Sequence, residues 1–522
     1  LELHQVEVGV GDPLRPATTK GLRWGVFLPP FLVLLAAAIM SFTHPVALLS
    51  SVTEVNTWIL AHFDWLYASA TLFFVLLITA IFFSKFGNVR IGGKDAVPIL
   101  KPWGWCTVTR CTTIATGLLF WGCAEPIFHY SAPPLLPGLK GSTPEAARFA
   151  LSTLYLHWGF TPYAIYCVPA LTFALAFHNR KLPFSLASLL FPFFRGEPPK
   201  KVAAVIDAVC LLSLVLGMAA SLGGGCLTIV GGLNHYFKLS TTPLSLGLVC
   251  GLIVVTFCIS AVSGLTKGIR ILSDWNARIF ILITVFIFAC GPTWYILSTG
   301  FEALGEYFST FFSRSLYLGG ETLDPWPRSW SIFYWANWLA WAPVTALFLG
   351  QIARGYTVRA FLIVNWLVPA VFSISWMSIF GGSALHLQIK GLTDVAGLMK
   401  DHGAESAVYS LFQSLPFAPV LIGLFVAATF LSFVTGADSN TSAMGSMSST
   451  GIDAENLEAP SWVKLSWGII IGVISWVMVS FAGLDGVRML SNLGGLPALL
   501  LGIIISIGLT KLFVTKGYKE LE

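Results

Sequence analysis

Residues 330–343 read WSIFYWANWLAWAP, and the apolar run they open continues to Leu349. Trp335, Trp338 and Trp341 recur at i, i+3 and i+6. At 100° per residue they share one face of a helix, within an arc of about 120°. A belt of interfacial Trp explains one or two indoles at a helix end. It explains poorly a face that repeats Trp through two turns. The spacing leaves two readings: ordinary packing, or a wall of indole faces turned toward a cation. A quaternary ammonium donates no hydrogen bond, so a protein grips it with π-faces, each contributing about 0.5–2 kcal/mol.

Composition sets the class. The chain is 56% hydrophobic and 11% charged, against about 25% charged residues in a soluble domain. Its apolar runs reach the roughly 20 residues that cross a hydrocarbon core of about 30 Å. The partner that this composition demands is a lipid bilayer. The net charge of +5 gives no sign of nucleic acid. The nine Cys fall in or beside apolar runs without C-x-x-C spacing, and read as buried packing residues rather than disulfides or a metal site. No cofactor motif is present.

Twelve transmembrane helices are expected, at 24–43, 64–85, 105–130, 148–178, 203–231, 243–262, 274–300, 329–351, 359–382, 417–446, 461–483 and 492–514. The fold class is thus all-α integral membrane. The first run follows Arg15, Lys20 and Arg23 as a signal peptide would, but lacks a cleavage site and is read as a span. Residues 301–318 are amphipathic and too charged to cross, and predict an interfacial helix. The longest connection, 383–416, is expected to hold another short helix. Lys and Arg concentrate on alternate loops, with Arg180, Lys181, Lys200, Arg354 and Arg359 on the side of the termini. That bias places both termini in the cytoplasm and the protein in the cell (inner) membrane.

Two spans are unusual. Span three ends in TGLLFWGCAEPIFHY, with Gly117, Gly122, Glu125 and Pro126; span eight carries the Trp face and Pro343. They open two five-helix sets, and weakened helices at matching places in two halves point to a transporter site at the midplane. Span four holds HWGFTPYAIY, where Trp158, Tyr163 and Tyr166 gather on nearly one face. Gly223, Gly224 and Gly225, and the pairs Gly247/Gly251 and Gly468/Gly472, read as close helix packing. In span ten, the hydroxyls of Thr435, Ser439 and Thr441 can bond back to their own helix. An enzyme would need a paired nucleophile and base. Neither H-E-x-x-H nor G-x-S-x-G occurs, and His157 has no obvious carboxylate partner in the sequence.

Together these residues resemble the betaine/carnitine/choline transporter family from about residue 24 to 514. The most specific motif is WSIFYWANWLAWAP followed by ARGYTVR, supported in order by GCAEP, HWGFTPYAIY, SAVSGLTKGIR and FVTGADS. The resemblance implies a five-plus-five inverted repeat of the leucine-transporter type. The chain then divides into a tail (1–23), two peripheral helices and a loop (24–104), a first repeat (105–300), the interfacial helix and loop (301–328), a second repeat (329–514) and a short tail (515–522). It also implies a homotrimer that moves betaines, carnitine or choline by alternating access. The family's substrate residues map onto Trp158, Tyr163, Tyr166, Trp335, Trp338 and Trp341, with Phe120 lining the pathway.

This chain departs from the family's pattern at three places. Asn337 stands where relatives usually have a further Trp, which adds a polar contact to the box. The span-three glycine stretch keeps only Gly117 as its helix-breaking glycine. In span ten the sodium-site hydroxyl pair has become Thr435-Gly436. Arg270 matches the arginine that replaces sodium in the family's exchangers, so the resemblance implies sodium-independent exchange. The alternative is a sodium- or proton-coupled symporter.

Overall fold

The computed structural model describes residues 21–113, 117–136, 138–194, 197–263, 266–451 and 459–521. These form an all-helical protein. In chain order the helices are α1 (Trp24–Thr43), α2 (Pro45–Phe83), α3 (Pro102–Thr113), α4 (Gly117–Ser131), α5 (Pro144–Trp158), α6 (Phe160–Ala174), α7 (Lys200–Phe237), α8 (Pro243–Ser263) and α9 (Thr266–Cys290). There follow α10 (Thr293–Ser315), α11 (Phe333–Gln351), α12 (Val358–Leu362), α13 (Val368–Ile389), α14 (Val395–His402), α15 (Ser406–Gln413), α16 (Ala418–Ser448) and α17 (Ser461–Val514). Among the described residues, nine helices are long and apolar enough to cross a membrane, or ten if the bent pair Trp275–Cys290 and Thr293–Ser315 is one span.

Several expected boundaries move. The second span is part of a 39-residue helix, because Pro45 at its start pre-sets the first turn and nothing breaks the run until Phe83. Span four is two helices. Thr143 caps the first by accepting from Ala146 N. Gly159 separates them with ψ −123°, and a Cβ there would lie 2.4 Å from the Tyr155 carbonyl oxygen. Span seven ends at Cys290 rather than 300, and α10 leaves it at 102°. The amphipathic helix therefore begins eight residues earlier than its charge pattern suggested. The last two spans form one 54-residue run bent at Gly483, whose φ of 52° and ψ of −132° are not helical. The long connection holds two short helices, α14 and α15.

Small residues bring α11 close to its neighbours. A Cβ on Gly495 of α17 would lie 2.5 Å from Ala336 Cα, and one on Gly217 of α7 would lie 3.0 Å from Ala340 Cβ. Likewise Gly225 admits the Phe433 ring, Gly247 the Trp476 indole, and Gly468 and Gly472 admit Phe257 and Val254. These glycines serve packing, as their spacing suggested; Gly224 and Gly251 face open space. The ARGYTVR loop after α11 is pinned by Arg359, which donates to the carbonyls of Phe82 (3.0 Å) and Ser84 (2.9 Å) and to Asn88 Oδ1 (2.6 Å). It thereby satisfies a carbonyl at the end of α2 that has no intrahelical partner. Of the cysteines, Cys123, Cys167, Cys210, Cys226 and Cys250 are buried, but Cys290 is exposed at the bend after α9. Cys111 lies outside the described side chains.

Just before α15, Glu405 is buried against Gly231 of α7. Burial pushes its carboxyl up to about 7. The folded form binds the proton more tightly than an unfolded chain, whose Glu titrates near 4.3. The resulting stabilisation is fully present below that value and is lost as pH rises through about 7. We expect the melting temperature of the purified protein to fall between pH 5.5 and 8.5, and Glu405→Gln to flatten that slope. An unchanged slope in the variant would place the titrating group elsewhere.

Candidate functional site

A cavity of about 740 Å³ lies between α4, α6, α7, α11 and α16. Its wall includes Phe120, Trp158, Tyr166, Asn337, Trp338 and Trp341, and it continues along α11 to Gln351 and along α16 to Ser446. Trp338 is the hub. Its ring centroid stands 5.4 Å from Trp158, 5.2 Å from Tyr166 and 5.6 Å from Tyr163. Its Nε1 donates to the His157 carbonyl at 3.0 Å.

Tyr163 and Trp335 are not among the lining residues. Tyr163 packs on Trp338 and pairs its hydroxyl with Ser373 Oγ at 2.7 Å. Trp335 packs edge-on to His157, with ring centroids 5.8 Å apart. The lining positions Asn337, Trp341, Val344 and Phe348 centre the cavity on a stripe about 150° round the helix from Trp335. Trp338 and Trp341 line the cavity, whereas Trp335 turns away from it. Asn337 reaches the cavity and also holds a neighbour, since its Oδ1 accepts from Ser491 Oγ at 3.0 Å.

Gly117 is the first residue of α4, and the residues just before it lie outside the described ones. A Cβ there would stand 2.8 Å from Trp158 Cη2, so this glycine makes room for the indole. Thr435 Oγ1 donates to the Leu431 carbonyl at 2.8 Å, and Ser439 and Thr441 bond back in the same way. Gly436 lines the cavity, with open space where a side chain would stand. The Arg270 side chain lies outside the described residues.

Behind Trp158 lies a polar cluster that the sequence reading missed. Glu125 Oε2 accepts from Trp158 Nε1 (2.8 Å) and Tyr334 Oη (2.5 Å). Glu125 Oε1 faces His157 Nδ1 (2.6 Å) and His129 Nε2 (3.2 Å). All three of Glu125, His129 and His157 are fully buried. His157 therefore does have a carboxylate partner, supplied from 32 residues earlier in the chain. One signal was legible: Glu125 and His129 are four apart and share a helix face. Intramembrane ionisable groups on one face carry a functional default.

The model of the BCCT family, betaine/carnitine/choline family transporters, matches residues 25–517. The chain belongs to this family. BCCT relatives include the ectoine/hydroxyectoine transporter of Virgibacillus pantothenticus, 31% identical over 88% of this chain and 90% of the relative. The glycine betaine transporter OpuD of Bacillus subtilis is 32% identical over 93% of each. The high-affinity choline transport protein of Escherichia coli is 28% identical over 89% of this chain and 68% of that one. These relatives are transporters, not enzymes. Among solved structures, a Na+-coupled sialic acid symporter aligns with a TM-score of 0.48 at 14% identity, covering 87% of this chain and 86% of that one. As a multi-pass membrane protein, this BCCT chain holds its buried carboxylate only because three helices bring it donors.

Removing one donor should therefore be expensive. Hydrogen bonds to charged groups contribute about 1.5–3 kcal/mol. Trp158→Phe and Tyr334→Phe are each expected to destabilise the protein by about that amount, read as a lower melting temperature in detergent. Equal stability of both variants and the parent would mean that Glu125 does not need these donors.

Proposed function

We propose that this protein is a secondary transporter of a quaternary ammonium compound, working by alternating access without sodium. The observation that carries the reading is the convergence of Trp158, Tyr166, Trp338 and Trp341 on one cavity. Indole and phenol faces attract a cation that cannot hydrogen-bond. The cavity runs toward the ends of α11 and α16, beside the loops rich in Lys and Arg. With those loops in the cytoplasm, the site opens inward. A 54-residue helix is about 80 Å long, far more than one crossing needs. Counted as two spans about Gly483, and with α3 and α4 as one broken span, it supports twelve spans arranged as two five-helix repeats after two peripheral helices. We carry the homotrimer, the cell membrane and the cytoplasmic termini over from the family resemblance and the charge bias.

Asn337 narrows the substrate. Its Oδ1 is held by Ser491, so the group it can offer the cavity is its Nδ2–H₂. An amide donor suits a carboxylate. The preferred substrate then carries a carboxylate beyond the ammonium head, as betaines and carnitine do and choline does not. Sodium independence is supported by Thr435, whose hydroxyl is turned to its own helix, and by the missing hydroxyl at Gly436. Arg270, from the start of α9, is proposed to take the ion's place, which makes exchange the working mode.

Three outcomes follow. In a binding panel of glycine betaine, carnitine, γ-butyrobetaine, ectoine and choline, the carboxylate-bearing ammonium compounds should bind more tightly than choline, and Asn337→Ala should shrink the difference. Trp338→Leu should weaken binding by about 1–2 kcal/mol, with Trp338→Phe losing less; equal binding by the Leu variant would remove Trp338 from the site. Counterflow in liposomes should persist when potassium replaces sodium. Its collapse in the parent protein ends the sodium-free reading, and normal exchange by Arg270→Ala with no gain of sodium dependence ends the role given to Arg270.

A further inference from the structure

We propose that Glu125, His129 and His157 form a proton-binding site, in which a proton on His129 and the guanidinium of Arg488 are alternative counter-charges for the Glu125 carboxylate. The inference rests on the substrate reading only where it links the proton to substrate affinity.

The three side chains are also of metal-ligand type, with their ligand atoms within 4.8 Å of one another. Their spacing favours hydrogen over a metal. Donors sharing one tetrahedral ion at bonds of about 2.0–2.1 Å stand roughly 3.3 Å apart. Glu125 Oε1 and His157 Nδ1 are 2.6 Å apart, the separation of a charge-assisted hydrogen bond.

Counting hydrogens identifies the open position. A neutral imidazole has one donor nitrogen and one acceptor. His157 donates from Nδ1 to Glu125 and accepts at Nε2 from Ser331 Oγ, 2.9 Å away. Both of its nitrogens are satisfied. His129 donates from Nε2 to Glu125, and its buried Nδ1 has no hydrogen-bond partner. That lone pair faces no donor. The rings of Trp330 and Trp326, 4.5 and 5.0 Å away, suit a cation or an N–H better than a lone pair. A proton passed from hydronium to Nδ1 forms an N–H bond as an O–H bond breaks, leaving water and an imidazolium against the Glu125 carboxylate.

In the present structure a second cation shares the Trp330 ring with His129. The Arg488 guanidinium lies 4.5 Å from the centre of Trp330, 5.8 Å from Phe333 and 5.9 Å from Trp121. Among the described residues its one ion pair, to Asp485, is 3.5 Å long, and its buried Nε has no hydrogen-bond partner. It stands five residues beyond the bend at Gly483, where an added Cβ would meet nothing within 4 Å. The remaining charged groups acting on the cluster are Arg314 of α10, paired with Glu306 at 3.8 Å, and the Tyr334 hydroxyl of α11. Asp324 is occupied by the backbone of Leu135 and Trp326 and by Tyr317 Oη. Glu405, at the start of a helix that also packs on α4, faces Gly231 instead. His129 and Arg488 both lie against one Trp330 ring, and a guanidinium there disfavours a second positive charge beside it. The two cations therefore exclude one another, and proton uptake is linked to movement of the α17 segment after Gly483.

The cluster touches the cavity wall twice, through Trp158 Nε1 on Glu125 and Trp338 Nε1 on the His157 carbonyl. A proton on His129 cancels the net negative charge of the cluster behind the aromatic wall, so a cationic head binds less well. By linkage, the substrate weakens proton binding by the same factor.

Two measurements test this on the purified full chain. Without ligand, tryptophan fluorescence is titrated between pH 3.5 and 8.5, since an imidazolium beside Trp330 quenches it. The parent should show a single transition, lost in His129→Gln, which keeps a donor for Glu125 but cannot be protonated. Arg488→Gln should move the transition to higher pH by removing the competing cation. With glycine betaine as the probe, Kd should rise by up to tenfold per pH unit on the acid limb, and less in His129→Gln. A parent with no transition, a transition that survives in His129→Gln, or an unmoved midpoint in Arg488→Gln overturns the proton site. Should glycine betaine and the rest of the panel fail to bind at any pH, the substrate reading fails, and the ligand-free titration still decides the proton site.

Discussion

The structure depends on the solvation of one buried carboxylate. Glu125 is fully buried in a helix of a membrane protein, where no water stands ready to replace a missing donor. Four side chains supply that solvation: His129 from its own helix, His157 and Trp158 from α5, and Tyr334 from α11. A charge left unpaired in such a place is far more destabilising than a lost packing contact. The four bonds therefore act as a clamp that fixes α4, α5 and α11 relative to one another. They also orient the Trp158 indole, which Gly117 leaves room for, so the aromatic wall of the cavity inherits its geometry from a polar cluster behind it.

A second constraint comes from the absence of a hydrophobic drive between helices inside lipid. Here α11 is packed by shape. Gly217 and Gly495 admit its backbone at Ala340 and Ala336, which leaves the side bearing Asn337, Trp338 and Trp341 to face the cavity. Transport needs part of this packing to change while the rest stays. The structure separates the two. Glu125 and the glycine contacts are tight, whereas the α17 segment after Gly483 bends at a residue where a side chain would meet open space and carries an incompletely partnered arginine.

The elements that sequence made legible are those set by local composition and period. Apolar runs of sufficient length, the amphipathic character of α10, the Trp repeat in α11 and the small-residue packing stripes all follow from rules acting within one helix or between it and lipid. Ordered motifs carried the family, because WSIFYWANWLAWAP, GCAEP and HWGFTPYAIY each occur in the expected sequence. The self-bonded hydroxyls of Thr435, Ser439 and Thr441 were legible for the same reason, their partners being one turn away.

Tertiary structure alone decided what depends on rotation, on breaks and on distant partners. Helical spacing placed Trp335 with Trp338 and Trp341, but only the packing of α7 and α17 set which part of that arc faces the cavity. The breaks at Gly159 and Gly483 and the early end of α9 turn on backbone geometry that an apolar run does not encode. The Glu125–His157 bond joins residues on two helices, and no period within either one predicts it. Sequence by itself determined that this chain crosses a membrane and belongs with transporters of small ammonium compounds, since hydrophobic length and local motifs suffice for that. The arrangement of charge behind the aromatic wall was decided in three dimensions, because a buried carboxylate takes its partners from whichever helices pack beside it.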